Sequence, residues 1–202
     1  MTFDAVVLAA GDFPRKGTKA WELLESSRRV VACDGAVNAY VRRFRSFPCA
    51  VVGDMDSVRH PRRIAEGCRF VKIDEQDTND LEKAVAFCRD SGWRRIAVVG
   101  ATGRREDHTL GNLFRIFDRR CAAFTDHGAF LPVDGRCSFR TRRGAAVSVF
   151  ATDPRTRMTS RGLQWPLDDV RFENLFCATL NRSTASRITL TSDRPAYVFI
   201  ET

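Results

Sequence analysis

Two rhythms of apolar and polar residues divide this 202-residue chain. In the first half, short apolar runs at 3–8, 29–33, 49–52, 69–73, 95–99 and 121–125 each give way, within a few positions, to glycine or an acidic residue. Continuous apolar runs of this length predict strands buried on both faces. Helical spacing fills the intervals, with helices predicted over 18–25 and 36–44. The clearest helix opens at Asn79. Asn79 is a capping residue, and Glu82 three positions on completes a capping box. Leu81, Ala84, Val85 and Cys88 then fall on one face, and Ser91-Gly92 stops the helix. A further helix opens near Asp107, with Leu110, Leu113, Phe114 and Phe117 on one face. Strand–helix alternation predicts an α/β fold: a mostly parallel, Rossmann-like α/β/α sheet with helices on both faces and right-handed crossovers.

After about Ala129 the period shortens to two. The segments 146–150 and 187–191 alternate, Ser192-Asp193-Arg194-Pro195 predicts a reversal, and 196–200 returns. This texture predicts a small all-β sandwich. The expected organisation is therefore an α/β nucleotide-binding domain over 1–128 and a β-sandwich domain over 129–202. The sequence shows no internal repeat, low-complexity tract or long linker.

Composition narrows the classes. No apolar run approaches the ~20 residues of a membrane span. The first ten residues carry Asp4 and no basic start, so they read as a strand and not a signal peptide, with the cytoplasm as the expected location. Seven cysteines are scattered, with no Cys-x-x-Cys pair. That pattern argues against a disulfide framework and against a zinc site, and predicts small buried hydrophobes. The net charge of +8 comes almost wholly from arginine, spread in pairs such as Arg42-Arg43 and Arg142-Arg143. Without a basic stripe interleaved with aromatics, this favours a solvated surface over a nucleic-acid partner.

The chemistry begins at Gly53-Asp54-Met55-Asp56-Ser57, directly after a predicted strand. Carboxylates one residue apart in extended chain point to the same side. At about 4 Å they repel by roughly 4 kcal/mol at an effective dielectric of about 20, which favours a hard divalent cation between them. Asp77 and Asp80, at a predicted helix start, are a second acidic set; they complement the helix dipole or complete a magnesium site. The stretch Gly100-Ala101-Thr102-Gly103-Arg104-Arg105-Glu106-Asp107-His108 reads as a phosphate loop, with glycines for close approach and arginine forks for phosphate oxygens. His108 has two readings, a satisfied core histidine or a ligand-contacting group. These turns, with Asp34-Gly35, all fall beyond the carboxyl ends of predicted strands, where such sheets bind ligands.

The runs Cys33-Asp34-Gly35-Ala36-Val37-Asn38, Gly53 to Ser57, Gln76-Asp77-Thr78-Asn79-Asp80-Leu81-Glu82-Lys83-Ala84 and Gly100 to His108, closing with Asn112, resemble the thiamine pyrophosphokinase family in order and spacing. Arg161-Gly162-Leu163-Gln164-Trp165-Pro166-Leu167 is similar to that family's Gly-Leu-Lys-Trp segment. Leu180-Asn181 departs from its frequent Ser-Asn. The resemblance implies Mg2+-dependent transfer of a pyrophosphoryl group from ATP to the hydroxyl of thiamine, giving thiamine diphosphate and AMP. It implies a homodimer with thiamine at the junction of one subunit's α/β domain and the partner's sandwich. It implies metal-binding and catalytic roles for Asp54, Asp56, Asp77 and Asp80. The ATP-binding set would be Asp34, Gly35, Asn38, Gln76, Thr78, Arg104, Arg105, Asp107 and His108. Gly162, Trp165 and Asn181 would bind thiamine, a flat cation suited to an aromatic face. Packing in the sandwich core is the alternative for Trp165. Two other functions fit parts of the pattern: a metal-dependent nucleotide-sugar glycosyltransferase, which leaves 76–80 and the β half without a role, and a nucleic-acid-binding protein.

Overall fold

The computed structural model describes residues 1–75 and 77–202. Gln76, expected on the nucleotide side, lies outside the described residues. The chain forms two compact units, Met1–Asp126 and His127–Thr202.

The first unit runs β1 (Ala5–Leu8), α1 (Lys19–Ser26), β2 (Val30–Cys33), α2 (Ala36–Phe44), β3 (Ala50–Gly53), α3 (Pro61–Ala65), β4 (Arg69–Lys72), α4 (Asp80–Asp90), β5 (Ile96–Val99), α5 (Glu106–Asp118) and β6 (Ala122–Phe124). Its strands lie in the order β6-β5-β1-β2-β3-β4, and each pairing is parallel. Every residue of β1, β2, β3 and β5 is buried, which explains their unbroken valine and alanine runs. The edge strand β4 is half-exposed. From β1 the chain builds outward through β4, and β5 then returns to the other side of β1. The loops after β1 and β5 thus diverge at a topological switch point, where an open α/β sheet leaves a crevice.

The helices depart from the sequence pattern in two places. In α4 the Asn79 Oδ1 accepts the Glu82 N–H at 3.0 Å, as a cap should. The Glu82 carboxylate does not complete the capping box; it is buried and meets Arg115 and Arg119 of α5, each at 3.3 Å. In α5 the buried pair is Ile116 and Phe117, while Leu110 and Phe114 are exposed. The first turns of α5 present His108, Gly111 and Asn112 to a polar cleft, so apolar packing begins only in the later turns.

The second unit contains β7 (Gly128–Arg140), β8 (Ala146–Phe150), β9 (Arg157–Arg161), β10 (Val170–Arg171), β11 (Ala178–Arg182) and β12 (Arg187–Glu201). β12 pairs with β7 along its whole length. On its other edge, its first half pairs with β9 and its second half with β8. β10 extends β9, and β11 extends β8. The reversal expected at Ser192–Pro195 does not occur. The register shifts there between Ser192 and Ala196, and the strand continues. Pro195, which has no N–H to offer a ladder, sits inside this bulge. Ser192 closes it by donating its hydroxyl to the Arg194 carbonyl at 2.6 Å. Strand pairing over the whole chain is therefore mixed and not mostly parallel: parallel in the first unit, antiparallel in the second.

Of the seven cysteine thiols, Cys33, Cys88 and Cys121 are buried. Cys49 and Cys177 are exposed, and Cys68 and Cys137 are half-buried. Cys49 and Cys68 immediately precede β3 and β4, where the chain is still entering the sheet. Among the described residues, no helix is long and apolar enough to cross a membrane.

Candidate active site

The carboxyl ends of β2 and β3 build the acidic side of the cleft. The Asp34 N–H donates to the Val52 carbonyl at 2.9 Å, carrying the ladder one residue past β2. Its φ of 36° then turns the chain into α2. Gly53 ends β3 in a space that admits no side chain. A Cβ there would lie 2.9 Å from the Asp34 Cβ and 3.1 Å from the Asp80 carboxylate. Beyond it, the Asp56 N–H donates to Asp54 Oδ1 at 3.2 Å, an Asx turn, and the Ser57 hydroxyl donates to Asp56 Oδ1 at 2.8 Å.

Asn38, on the first turn of α2, clamps this loop. Its Nδ2 donates to the Gly35 and Ser57 carbonyls, each at 2.9 Å, and its Oδ1 accepts the Arg59 N–H at 2.8 Å. The amide expected to meet nucleotide is thus spent on backbone.

Asp34, Asp54 and Asp56 each offer an oxygen within 4.8 Å of the others. Asp34 is buried, and its Oδ1 has no hydrogen-bond partner among the described residues. Burial holds its carboxyl above the usual carboxylate range, and the neighbouring Asp56 and Asp54 charges add to that. Burial, followed by the Asp34 charge, also raises Asp80, while Lys83 opposes the rise. The Lys83 ammonium is buried. It donates to the carbonyls of Glu75 at 2.6 Å and Ile73 at 3.2 Å, and lies 3.9 Å from Asp80 Oδ1. Sequence reasoning missed this group. A lysine between two apolar helix positions reads as solvated, and only the fold turns it inward.

The loops after β1 and β5 form the facing wall. Gly11 donates to the Gly100 carbonyl at 2.7 Å, and Asp12 to that of Thr102 at 2.8 Å. A Cβ on Gly11 would sit 2.4 Å from the Thr102 oxygen, so glycine is required for this approach. Arg105 forks onto Asp107 at 2.6 and 3.1 Å. That contact, with the His108 N–H, holds the Asp107 carboxyl below its ordinary value. Arg104, at φ 60°, is exposed and has no ion-pair partner among the described residues, so it is the arginine whose fork is open to an anion. His108 is exposed, which removes the core reading. Asn112 donates to the Ala101 carbonyl at 3.0 Å and accepts from Asn79 at 3.3 Å, tying the glycine loop to α4.

Together these walls enclose a cleft of about 700 Å³. Of the expected residues, Asp34, Asp54, Asp56, Asp80, Arg104, Arg105, Asp107 and His108 line it. Gly35 and Asn38 belong to an adjoining arm of about 320 Å³, with Arg42 and Arg59. Asp77 and Thr78 line neither. The Asp77 and Thr78 N–H groups donate to Glu75 Oε2 at 2.7 and 3.0 Å, and the Thr78 hydroxyl meets the same carboxylate. The carboxylate that joins Asp54, Asp56 and Asp80 is Asp34, not Asp77. Its signal in the sequence was its place at the end of a strand on the same edge.

In the second unit, Asn181 is buried and grips the backbone of Trp165. Its Oδ1 accepts the Trp165 N–H at 3.2 Å, and its Nδ2 donates to the Trp165 carbonyl at 2.7 Å. Trp165 itself is 54% exposed, so core packing is not its role. Gly162 follows directly on β9 at φ 83°. Leu180, at the register shift of β11, is 86% exposed at φ 62°.

A parallel sheet with a carboxylate-lined cleft at its switch point, faced by an unpaired arginine, defines a nucleotide-dependent α/β transferase. Residues 20–124 match the model of the thiamin pyrophosphokinase catalytic domain, and residues 128–199 match that of the thiamin pyrophosphokinase substrate-binding domain. The chain belongs to the thiamine pyrophosphokinase family and is an enzyme of that family. Similar relatives include thiamine pyrophosphokinase 1 of Arabidopsis thaliana, 29% identical over 94% of this chain and 82% of the relative. Thiamine pyrophosphokinase 1 of Oryza sativa subsp. japonica is 26% identical over 94% and 83%. The fold is shared with a thiamin pyrophosphokinase family protein from Enterococcus faecalis, at TM-score 0.80, 16% identity and 98% coverage of each chain. It is shared with thiamine pyrophosphokinase from Bacillus subtilis at TM-score 0.79, 17% identity and 98% coverage of each.

Proposed function

We propose that the first unit, acting as a Rossmann-like nucleotide domain, holds ATP with Mg2+ and delivers a pyrophosphoryl group to the hydroxyl of thiamine. The observation that carries this is the convergence of Asp34, Asp54 and Asp56 within 4.8 Å, one of them buried with an unpartnered oxygen. Three hard oxygen donors and an uncompensated buried charge fit a magnesium ion. Asp34, Asp54 and Asp56 are the residues that would hold Mg2+, which would supply neutralisation of the polyphosphate charge. Arg104 supplies the guanidinium for phosphate oxygens, and His108 lines the same wall.

In the reaction, the thiamine hydroxyl oxygen bonds to the β-phosphorus as the bond from that phosphorus to the α-phosphate oxygen breaks. AMP leaves, and the hydroxyl proton passes to a carboxylate. Asp80 takes that role in our reading, because Asp77 lies outside the cleft. Lys83 and Asn38 hold Asp80 and the Asp54–Ser57 loop in place. The second unit serves as the thiamine-binding sandwich, with the exposed Trp165 ring as platform for the cationic substrate. The chain works as a homodimer in which Trp165 of one copy completes the cleft of the other.

Incubation with ATP, Mg2+ and thiamine tests the central reading. Thiamine diphosphate and AMP are the expected products; thiamine monophosphate and ADP would overturn it.

A further inference from the structure

Four arginines of the second unit share one exposed sheet face. β12 lies between β9 and β7 here, and its residues Ile188 and Leu190 point into the core. The alternate residues Arg187, Thr189 and Thr191 point outward. Their partners across the ladder complete three rows: Arg140–Arg187, Ser138–Thr189–Arg161 and Arg136–Thr191–Thr159. These rows hold four guanidinium groups and four hydroxyls, and no carboxylate. Arg136 and Arg161 flank a depression of about 480 Å³, with Asp168 on its rim.

Two observations separate this face from an ordinary solvated one. Elsewhere in the unit most arginines are engaged: Arg142 meets Glu201, Arg155 and Arg194 meet Asp153, Arg157 meets Asp169, and Arg171 and Arg182 donate to the carbonyls of Pro154 and Gly144, with Arg143 the exception among the described residues. Among the described residues, Arg136, Arg140, Arg161 and Arg187 have no ion-pair partner. Moreover, Arg140 stands directly opposite Arg187. Like charges on a cross-strand pair destabilise a sheet unless an anion lies between them.

We propose that this face binds an oligophosphate, a chain of linked phosphate groups that is either free or carried on a nucleoside. Guanidinium forks and hydroxyl donors are the groups that chelate phosphate oxygens. Side chains about 5 Å apart across strands and about 7 Å apart along them span neighbouring phosphates. The proposal does not depend on the metal-dependent cleft of the first unit.

The test uses the full chain in EDTA, titrated with inorganic tripolyphosphate, ATP or AMP at constant ionic strength, and read by backbone amide NMR. Saturable shifts at Thr159, Arg161, Thr189 and Thr191 are expected with tripolyphosphate and ATP, and about tenfold weaker binding with AMP. A nucleoside-borne ligand gives ATP tighter than tripolyphosphate; a free one gives the reverse or equality. The double variant Arg136→Gln/Arg161→Gln should lose at least about tenfold in affinity while melting no lower than the parent, since it removes only unpaired charge. Arg140→Gln should melt higher than the parent in the absence of anion. Shifts confined to the first unit, or equal affinity in the double variant, would overturn the proposal. So would binding of duplex nucleic acid without any response to tripolyphosphate.

Discussion

Replacing Asp34 by asparagine separates the fold's interest from the enzyme's. The side chain keeps its shape and loses its charge. In the parent, that charge is buried and lies within 4.8 Å of the Asp54 and Asp56 oxygens. Two unit charges about 4.8 Å apart repel by roughly 3.5 kcal/mol at an effective dielectric of about 20, and by roughly 0.9 kcal/mol in water. Asp54 is half-buried and Asp56 exposed, so each pair falls near the lower figure. Two such pairs sum to about 2 kcal/mol, less the cost of burying an amide. Asp34→Asn should therefore stabilise the metal-free protein by about 1–2 kcal/mol, a rise of roughly 2–8 °C in melting temperature. With Mg2+ at about 100 times its dissociation constant, the parent should gain about 2.7 kcal/mol and the variant almost nothing. Thermal melts with EDTA and with Mg2+, beside a thiamine diphosphate assay, read all three quantities. A variant that melts lower in EDTA, yet keeps the parent's magnesium shift, would refute the argument. Asp34 would then be a hydrogen-bonding strut and not a ligand.

Three further outcomes follow from the same geometry. Asn38→Ala removes three hydrogen bonds to backbone, about 1.5–4.5 kcal/mol in all, and should raise the KM for magnesium-ATP about tenfold or more with unchanged far-UV circular dichroism; steady-state kinetics checks this. Asp56→Asn and Trp165→Ala should each be nearly inactive alone, the latter through weakened thiamine binding. Mixed and allowed to exchange subunits, they should regain about one quarter of parent activity, because half of the dimers then hold one intact site of two; no recovery places both residues in one copy's site. Arg95, through its guanidinium and its N–H, holds the Asp4 carboxyl down to about 2. A carboxylate with a depressed native pKa stabilises above its unfolded value, near 4, and loses that contribution as pH falls toward about 2. Acid titration of the melting temperature should be flatter for Asp4→Asn than for the parent between those values.

Most of the first unit was legible because its strands β1, β2, β3 and β5 are wholly buried and two of its helices carry side-chain caps, Thr18 and Asn79. Asn79 announced α4 with its own hydrogen bond. The sequence also put four polar turns on one edge, and the fold brings residues of all four together with the loop after β1, the 76–80 turn through Asn79 and Asp80 and not Asp77. What it hid was decided by distance. Glu82 looked like half of a capping box, but two arginines more than thirty positions away take its carboxylate. Asp77 looked like a fellow ligand of Asp54 and Asp56, yet its backbone is held by Glu75, while the β2–β3 ladder carries Asp34 inward instead. The arginine face stayed invisible because its members come from three strands that meet only through β12. Ser192–Pro195 misled for a local reason: turn-forming residues also make a bulge, and only the partner strand distinguishes the two.

That bulged strand also bears on how the protein is made. β7, the β8–β11 pair and the β9–β10 pair acquire a shared neighbour only when β12 joins them. During synthesis the α/β sheet can close while these segments wait with open edges, exposed to pairing with another nascent chain. Arrival of residues 187–201 gives the three pieces one common strand in a single step.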